Sequence, residues 1–274
     1  MQPTCAAIHD LSCYAKSSLT VVLPVLEVMG IEACPLPTAL LSSQTDGFSS
    51  YYFRDTTADI KGILDAWKTL GLGFDAIYSG FLGSPDQMVL IKAFIRDQWQ
   101  NQAPLTLVDP VLGDDGKLYG PITAEHVSAM QDLVTYADVI TPNTTEAALL
   151  LDRPYQQQFD EESALSWAKE LGMKTGANVA ITSVPLQIQS VVACYAEGRA
   201  FLVSYQKLEA SYPGCGDLFA SLLLGFLLNK ESFQKSVEQA VSLTSLAMER
   251  TLAGGYEVRH GVAVSLILPD LAKR

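Results

Sequence analysis

The sequence predicts an α/β protein whose mainly parallel sheet is covered by helices on both faces and carries a small antiparallel hairpin. Three observations predict it. Short apolar runs alternate with longer segments of helical period through most of the 274 residues, and parallel strands need crossover connections that helices supply. Residues 191–196 and 200–205 are two strand-like runs parted only by Glu197-Gly198-Arg199, where the glycine supplies a hairpin turn. The composition, 49% hydrophobic against 18% charged, is that of a chain with a large buried core and excludes disorder.

The elements follow in order. Residues 5–8 form a first strand and 19–29 a helix that stops at Gly30, as a glycine-capped helix should. Residues 39–41 are a short strand. Over 59–70, Ile60, Ile63, Leu64, Trp67 and Leu70 recur at helical spacing before Gly71, and 76–78 return to strand. A helix over 86–99 leads to a strand at Leu105–Val108, a helix over 124–136, a strand at Val139–Ile140, helices over 144–151 and 163–171, and a strand over 179–182. After the hairpin come two long helices, 216–228 and 233–251. No repeat, low-complexity tract or Pro/Gly/Ser-rich linker interrupts this, so one domain is expected over residues 1–274.

Charge narrows the function classes. Eighteen Lys+Arg against 30 Asp+Glu give a formal charge of −12, and no basic cluster marks a nucleic-acid or anionic-membrane surface. An anionic ligand therefore needs a local device to hold it. Five cysteines, Cys5, Cys13, Cys34, Cys194 and Cys215, show neither a disulfide framework nor paired zinc ligands, which fits a reducing cytoplasm. The first ten residues lack the basic and apolar regions of a signal peptide. The longest apolar stretch, residues 218–228, is about half the ~20 residues needed to span a bilayer.

In open α/β sheets the chemistry gathers outside the carboxyl ends of the strands. Pro213-Gly214-Cys215-Gly216-Asp217 is a glycine-rich turn running straight into an apolar helix. Its open amides and helix dipole make an anion site without a basic side chain, although Asp217 equally suits plain helix capping. Asn143 and Glu146 stand three apart after a strand, the spacing of a capping box. Asp109 ends another strand before Pro110, either as a turn former or as a metal- or phosphate-side ligand.

Taken in order, Tyr78-Ser79-Gly80-Phe81-Leu82-Gly83-Ser84, Asp109-Pro110-Val111-Leu112-Gly113, Thr141-Pro142-Asn143-Thr144-Thr145-Glu146, Thr182-Ser183 and Gly214-Cys215-Gly216-Asp217 resemble the ribokinase-like superfamily, and within it the vitamin B6 kinases. The resemblance spans most of the chain. It implies a ribokinase-like fold and ATP- and Mg²⁺-dependent phosphorylation of the 5′-hydroxymethyl group of pyridoxal, pyridoxine or pyridoxamine by a cytoplasmic homodimer. It makes Asp217 the base that takes the hydroxyl proton, with Gly214, Cys215 and Gly216 as the anion hole. Asn143 and Glu146 then lie beside the triphosphate and metal, Glu146 through bound water, with Asp109 near the same metal and Thr182 as a phosphate-contacting hydroxyl.

The resemblance places the substrate ring against Asp10, Ser12, Thr45 and Phe81, which on their own read as loop, turn and core residues. Two positions depart from the family: Asp10 stands where many pyridoxal kinases have serine, and Phe81 where they have tyrosine. The stretch Ala7-Ile8-His9-Asp10-Leu11-Ser12 also resembles the hydroxymethylpyrimidine kinases of thiamine synthesis, the alternative activity, although Cys13-Tyr14-Ala15-Lys16 replaces their glycine-rich continuation. A ligand-binding relative without catalysis is a third reading, opposed by the full set of carboxylates. Cys215 stands where threonine or alanine is common, as a small buried thiol or as a thiolate that captures an aldehyde. His9 and His126 read as structural, His260 has no evident place, and Tyr51-Tyr52 suit a flap or simple packing.

Overall fold

The computed structural model describes residues 2–272 apart from 101, 102, 207, 209 and 210. The strands are β1 (Thr4–Ser12), β2 (Glu32–Leu41), β3 (Phe53–Asp55), β4 (Ala76–Ser79), β5 (Leu105–Val108), β6 (Gly113–Asp114), β7 (Lys117–Leu118), β8 (Val139–Ile140), β9 (Asn178–Pro185), β10 (Ser190–Ala196) and β11 (Arg199–Tyr205). The helices are α1 (Leu19–Val28), α2 (Thr57–Thr69), α3 (Pro85–Gln98), α4 (Ala124–Leu133), α5 (Thr144–Leu150), α6 (Glu161–Thr175), α7 (Cys215–Leu228), α8 (Phe233–Ala253) and α9 (Leu268–Leu271).

Nine strands form one sheet in the order β11-β10-β9-β8-β5-β4-β1-β2-β3. The pairings from β2 through β9 are parallel, while β3, β10 and β11 add antiparallel edges. This is the expected architecture, with the 191–205 hairpin realised as β10 and β11. The order leaves β1 and β4 central, so their side chains are buried on both faces: Tyr78, Ile8 and Ile77 are wholly inaccessible. One core packs α1, α7 and α8 against the sheet through residues such as Val22, Leu222 and Val237. The other packs α2 to α6 through Ile60, Ile95, Met130, Ala147 and Trp167.

Three differences from the sequence reading have physical reasons. Strand β2 runs from residue 32, not 39, straight through Pro35 and Pro37. The prolines are tolerated because they share one parity, and β3 covers only Ala39, Leu40 and Leu41, so the missing N–H groups face an open strand edge. Strand β1 extends to Ser12, which puts Asp10 and Ser12 inside the strand rather than after it; its pairing with β2 shifts register between His9 and Leu11, where Thr38 and Ala39 of β2 bulge opposite Asp10. The small β6–β7 hairpin turns through Asp115 (φ 48°) and Gly116 (φ 74°), an Asp-Gly turn signal that the sequence reading passed over.

Gly80 ends β4 against β1 so closely that a Cβ there would lie 2.2 Å from His9 Nδ1. His9 is fully buried and has nowhere to move. Gly80→Ala is therefore expected to destabilise the fold by roughly 1–3 kcal/mol through overpacking, read as a lower urea midpoint with an unchanged slope.

Candidate active site

Asp10, Asp109, Asn143, Glu146 and Asp217 lie near one another at the carboxyl ends of the parallel strands and the start of α7. Gly214 is the N-cap of α7 with φ 84°, and a Cβ on it would stand 2.9 Å from the Lys16 carbonyl oxygen. Only glycine accepts that backbone in that space. The Cys215 N–H points at Tyr212 O at 3.3 Å, and the Leu218 N–H closes the first helical bond to Gly214 O. The amides of Gly216 and Asp217 have no backbone partner among the described residues, which is the usual state of a helix start and suits an anion.

Asp217 lies in the first turn of α7 with its side chain 13% exposed. Its Oδ2 accepts the Ser18 N–H at 2.8 Å, and its Oδ1 is 3.8 Å from His9 Nδ1. Burial lifts its pKa to about 8, helped by the nearby charges of Asp109 and Asp10 and opposed by the Ser18 amide. His9 carries no compensating charge, because burial pushes its own pKa down to about 3. Its ring stands edge-on to Tyr78, with centroids 4.3 Å apart.

Asp109 follows β5, is 8% exposed, and accepts the Thr141 hydroxyl on Oδ1 at 3.0 Å. Its Oδ2 faces α7, 3.9 Å from where a Cβ on Gly216 would stand. Burial raises its pKa to about 7, against the pull of the Thr141 hydroxyl. Glu146 is buried beside it, and its pKa is raised well above the ordinary range by burial and by the Asp109 charge.

The capping box read from the sequence is real. Asn143 Oδ1 accepts the Thr145 and Glu146 amides at 2.8 and 3.0 Å, and Glu146 Oε2 accepts the Asn143 N–H at 2.8 Å. Glu146 Oε1 takes the Leu112 N–H at 3.1 Å, and Asn143 Nδ2 donates to Gly113 O at 2.8 Å. One cap thus ties α5 to the β6–β7 hairpin above it. Thr182 lies within β9, not after it, bridged to Asn143; Ser183 beside it has φ 56°, and the β9–β10 register shifts across from it, a bulge of the kind that re-aims neighbouring side chains.

Asp10 is 6% exposed. Ser12 donates to its Oδ2 at 2.9 Å and Ser18 to its Oδ1 at 2.5 Å, so the structure gives Ser12 a partner in Asp10. Burial raises the Asp10 pKa and the two hydroxyls lower it. Ser18 links Asp10 and Asp217, bonding one through its hydroxyl and the other through its amide. Thr45 is exposed on the loop after β2, whose neighbour Gln44 donates to Arg259 O at 2.8 Å. Phe81 packs against the second core, and its carbonyl accepts the Thr38 hydroxyl at 2.7 Å. The Cys215 thiol is pushed up to about 12 by burial, the opposite of an activated thiolate, so the small-thiol reading holds.

Sequence reasoning missed Ser18 and did not place His260. The structure sets His260 Nε2 3.1 Å from Tyr14 Oη, joining loops 246 residues apart that rim the site. His126 caps α4 with Thr123, as expected. The Ser18 hydroxyl turns to Asp10 on β1, a contact that no local pattern encodes.

A family model described as phosphomethylpyrimidine kinase matches residues 9–262. Pyridoxal kinase of Arabidopsis thaliana is 29% identical over 257 residues, spanning 89% of this chain and 80% of that protein. The crystal structure of pyridoxal kinase from Lactobacillus plantarum superposes with a TM-score of 0.91 at 33% identity, covering 99% of this chain and 97% of that one. A Bacteroides thetaiotaomicron protein, provisionally described as a phosphomethylpyrimidine kinase and crystallised with pyridoxal, gives a TM-score of 0.92 at 39% identity over 99% of this chain and 96% of its own.

The raised pKa of Asp217 fixes a stability prediction. Folded Asp217 holds its proton up to about 8, whereas the unfolded carboxyl releases it near 3.9. The folded chain binds the extra proton between those values, so this group's cost to stability grows as pH rises through that window. Asp217→Asn removes the cost. Its melting temperature at pH 7.5 should exceed that of the unsubstituted chain by several degrees, a gain that disappears towards pH 4 in a calorimetric series.

Proposed function

The chain belongs to the phosphomethylpyrimidine kinase family, and from that premise we propose that it is a vitamin B6 kinase, transferring the γ-phosphoryl group of ATP to the 5′-hydroxymethyl group of pyridoxal, pyridoxine or pyridoxamine. The observation that carries the reading is end-to-end similarity to a pyridoxal kinase, one third of residues identical over 99% of the chain, with Asp217 buried at the first turn of a helix whose leading amides are open.

Asp217 is the general base. The Ser18 amide occupies Oδ2 and leaves Oδ1 for the substrate hydroxyl, whose proton the carboxylate accepts as the P–O bond forms. A carboxylate pushed towards neutrality by burial is well matched to that proton at physiological pH. At the Gly214-Cys215-Gly216 turn, the open amides of Gly216 and Asp217 stabilise charge on the transferred group, with Asn143 and Thr182 on the ATP side. Asp10, Ser12, Thr45 and Phe81 form the wall that meets the substrate ring.

Mg²⁺ fits the donor set. Asp109 and Glu146 are two buried, mutually repelling carboxylates with no lysine or arginine at ion-pair distance among the described residues. Glu146 already accepts two backbone N–H groups, so it would hold the ion through water, while Asp109 would offer Oδ2. No group of three or more acidic, histidine or cysteine side chains forms a closed metal cage among the described residues, which suits a cation that keeps its waters and leans on phosphate. When bound, the metal supplies charge neutralisation for the phosphates.

A single domain over 1–274, a cytoplasmic location and a homodimer complete the reading. All five cysteines are free and no helix among the described residues is long and apolar enough to cross a membrane; the dimer comes from the resemblance. A second acceptor is favoured by Asp10 and by the family description, namely hydroxymethylpyrimidine. Steady-state rates with pyridoxal and hydroxymethylpyrimidine side by side decide between them: a preference for pyridoxal is expected, and a clear preference for the pyrimidine sinks the B6 assignment. Asp217→Asn should lower kcat by ~10²–10⁴-fold; near-normal turnover would remove Asp217 from its role.

A further inference from the structure

Ser18 occupies a backbone conformation that serine avoids. Its φ of 48° and ψ of −131°, with the Thr20 N–H bonded to Ser17 O at 3.1 Å, make it the first central residue of a type II′ turn, the position where glycine is favoured. The side chain does not repay the strain locally. Although Ser18 is the N-cap of α1, its hydroxyl makes no capping bond; the helix start is met by its carbonyl, which accepts the Val21 and Val22 amides at 2.9 Å each.

The hydroxyl and the amide point instead at the two carboxylates of the cleft. Ser18 Oγ donates to Asp10 Oδ1 at 2.5 Å, and Ser18 N donates to Asp217 Oδ2 at 2.8 Å. The residue is 8% exposed, so neither bond competes with bulk water. The geometry points to Ser18 as a positioning residue: from one strained turn its hydroxyl holds the substrate-side carboxylate Asp10 and its amide holds the base Asp217, fixing the distance between ring and hydroxyl recognition. This rests on the reading of Asp10 and Asp217 given above.

The turn explains why the positive φ matters. It aims a backbone N–H and its own side chain at partners on β1 and α7 at once, which a residue in helical conformation at that N-cap cannot do. A glycine would fit the backbone better and keep the amide, but would leave Asp10 with Ser12 alone. Function and comfort of the backbone therefore select different residues, and that conflict separates a positioning role from a structural one.

Ser18→Gly and Ser18→Ala both delete the hydroxyl and keep the amide; only the alanine keeps the strained φ. If Ser18 positions Asp10, both variants raise KM for pyridoxal by about tenfold, the value of one hydrogen bond to a charged group, with kcat falling less than KM rises, while Ser18→Gly melts at a higher temperature than Ser18→Ala. An unchanged KM in Ser18→Gly overturns the assignment, and so does a KM that follows melting temperature, rising in the alanine variant alone. Asp217→Asn measured beside them keeps the two readings apart. Its retention of turnover would overturn the site itself, whereas its inactivity with a wild-type-like Ser18→Gly removes Ser18 alone.

Discussion

Four carboxylates, Asp10, Asp109, Glu146 and Asp217, are withdrawn from water at the carboxyl ends of the parallel strands, and no lysine or arginine among the described residues neutralises them. Isolated charges in such a place are costly, and each carboxyl has its pKa raised by burial before anything else. The surroundings answer with neutral donors. Hydroxyls of Ser12, Ser18 and Thr141 and amides of Ser18, Leu112 and Asn143 supply hydrogen bonds to the four groups. Strand ends, helix caps and the Ser18 turn are placed by this need as much as by packing.

The same constraint explains the division of labour between the carboxylates. Glu146 spends both oxygens on backbone N–H groups, so it fastens α5 and the segment leading into the β6–β7 hairpin. Asp109 and Asp217 each leave one oxygen without a protein hydrogen bond: Asp109 Oδ2 is directed at Gly216 on α7, while Asp217 Oδ1 stands beside His9 on β1. A stability optimum would pair or remove them. Half-satisfied buried groups of this kind are what the proposed function needs, with binding completing what folding leaves open.

Most of the fold was legible in the sequence because its signals are local. Helical spacing marked α2, Gly30 marked the end of α1, and Glu197-Gly198-Arg199 marked the antiparallel hairpin. What escaped depended on neighbours distant in the chain. Strand β2 runs through two prolines because the sheet leaves their side of the strand open, which pattern along the chain does not reveal. Asp217, Asp109, Asn143 and Glu146 were found through motif order, and the structure gathers them. Ser18 was invisible because its partners lie 8 and 199 residues away, and because a serine before a helix already has a sufficient local explanation.

The net charge of −12 bears on how such a site takes a polyanion. A basic pocket would attract ATP but would also pair with the buried carboxylates, lowering their pKa values and removing the base from its useful range. With no lysine or arginine at ion-pair distance among the described residues, that outcome is avoided. The proposed function then has phosphate held by dipoles, through the glycine turn and the first amides of α7, and by a cation that would arrive with the nucleotide. In the proposed function, the repulsion between Asp109 and Glu146 would favour a cation and disfavour free phosphate. On this view the acidity is part of the selectivity, and the strain at Ser18 and the raised pKa of Asp217 are costs of keeping the carboxylates unpaired until the ligands enter.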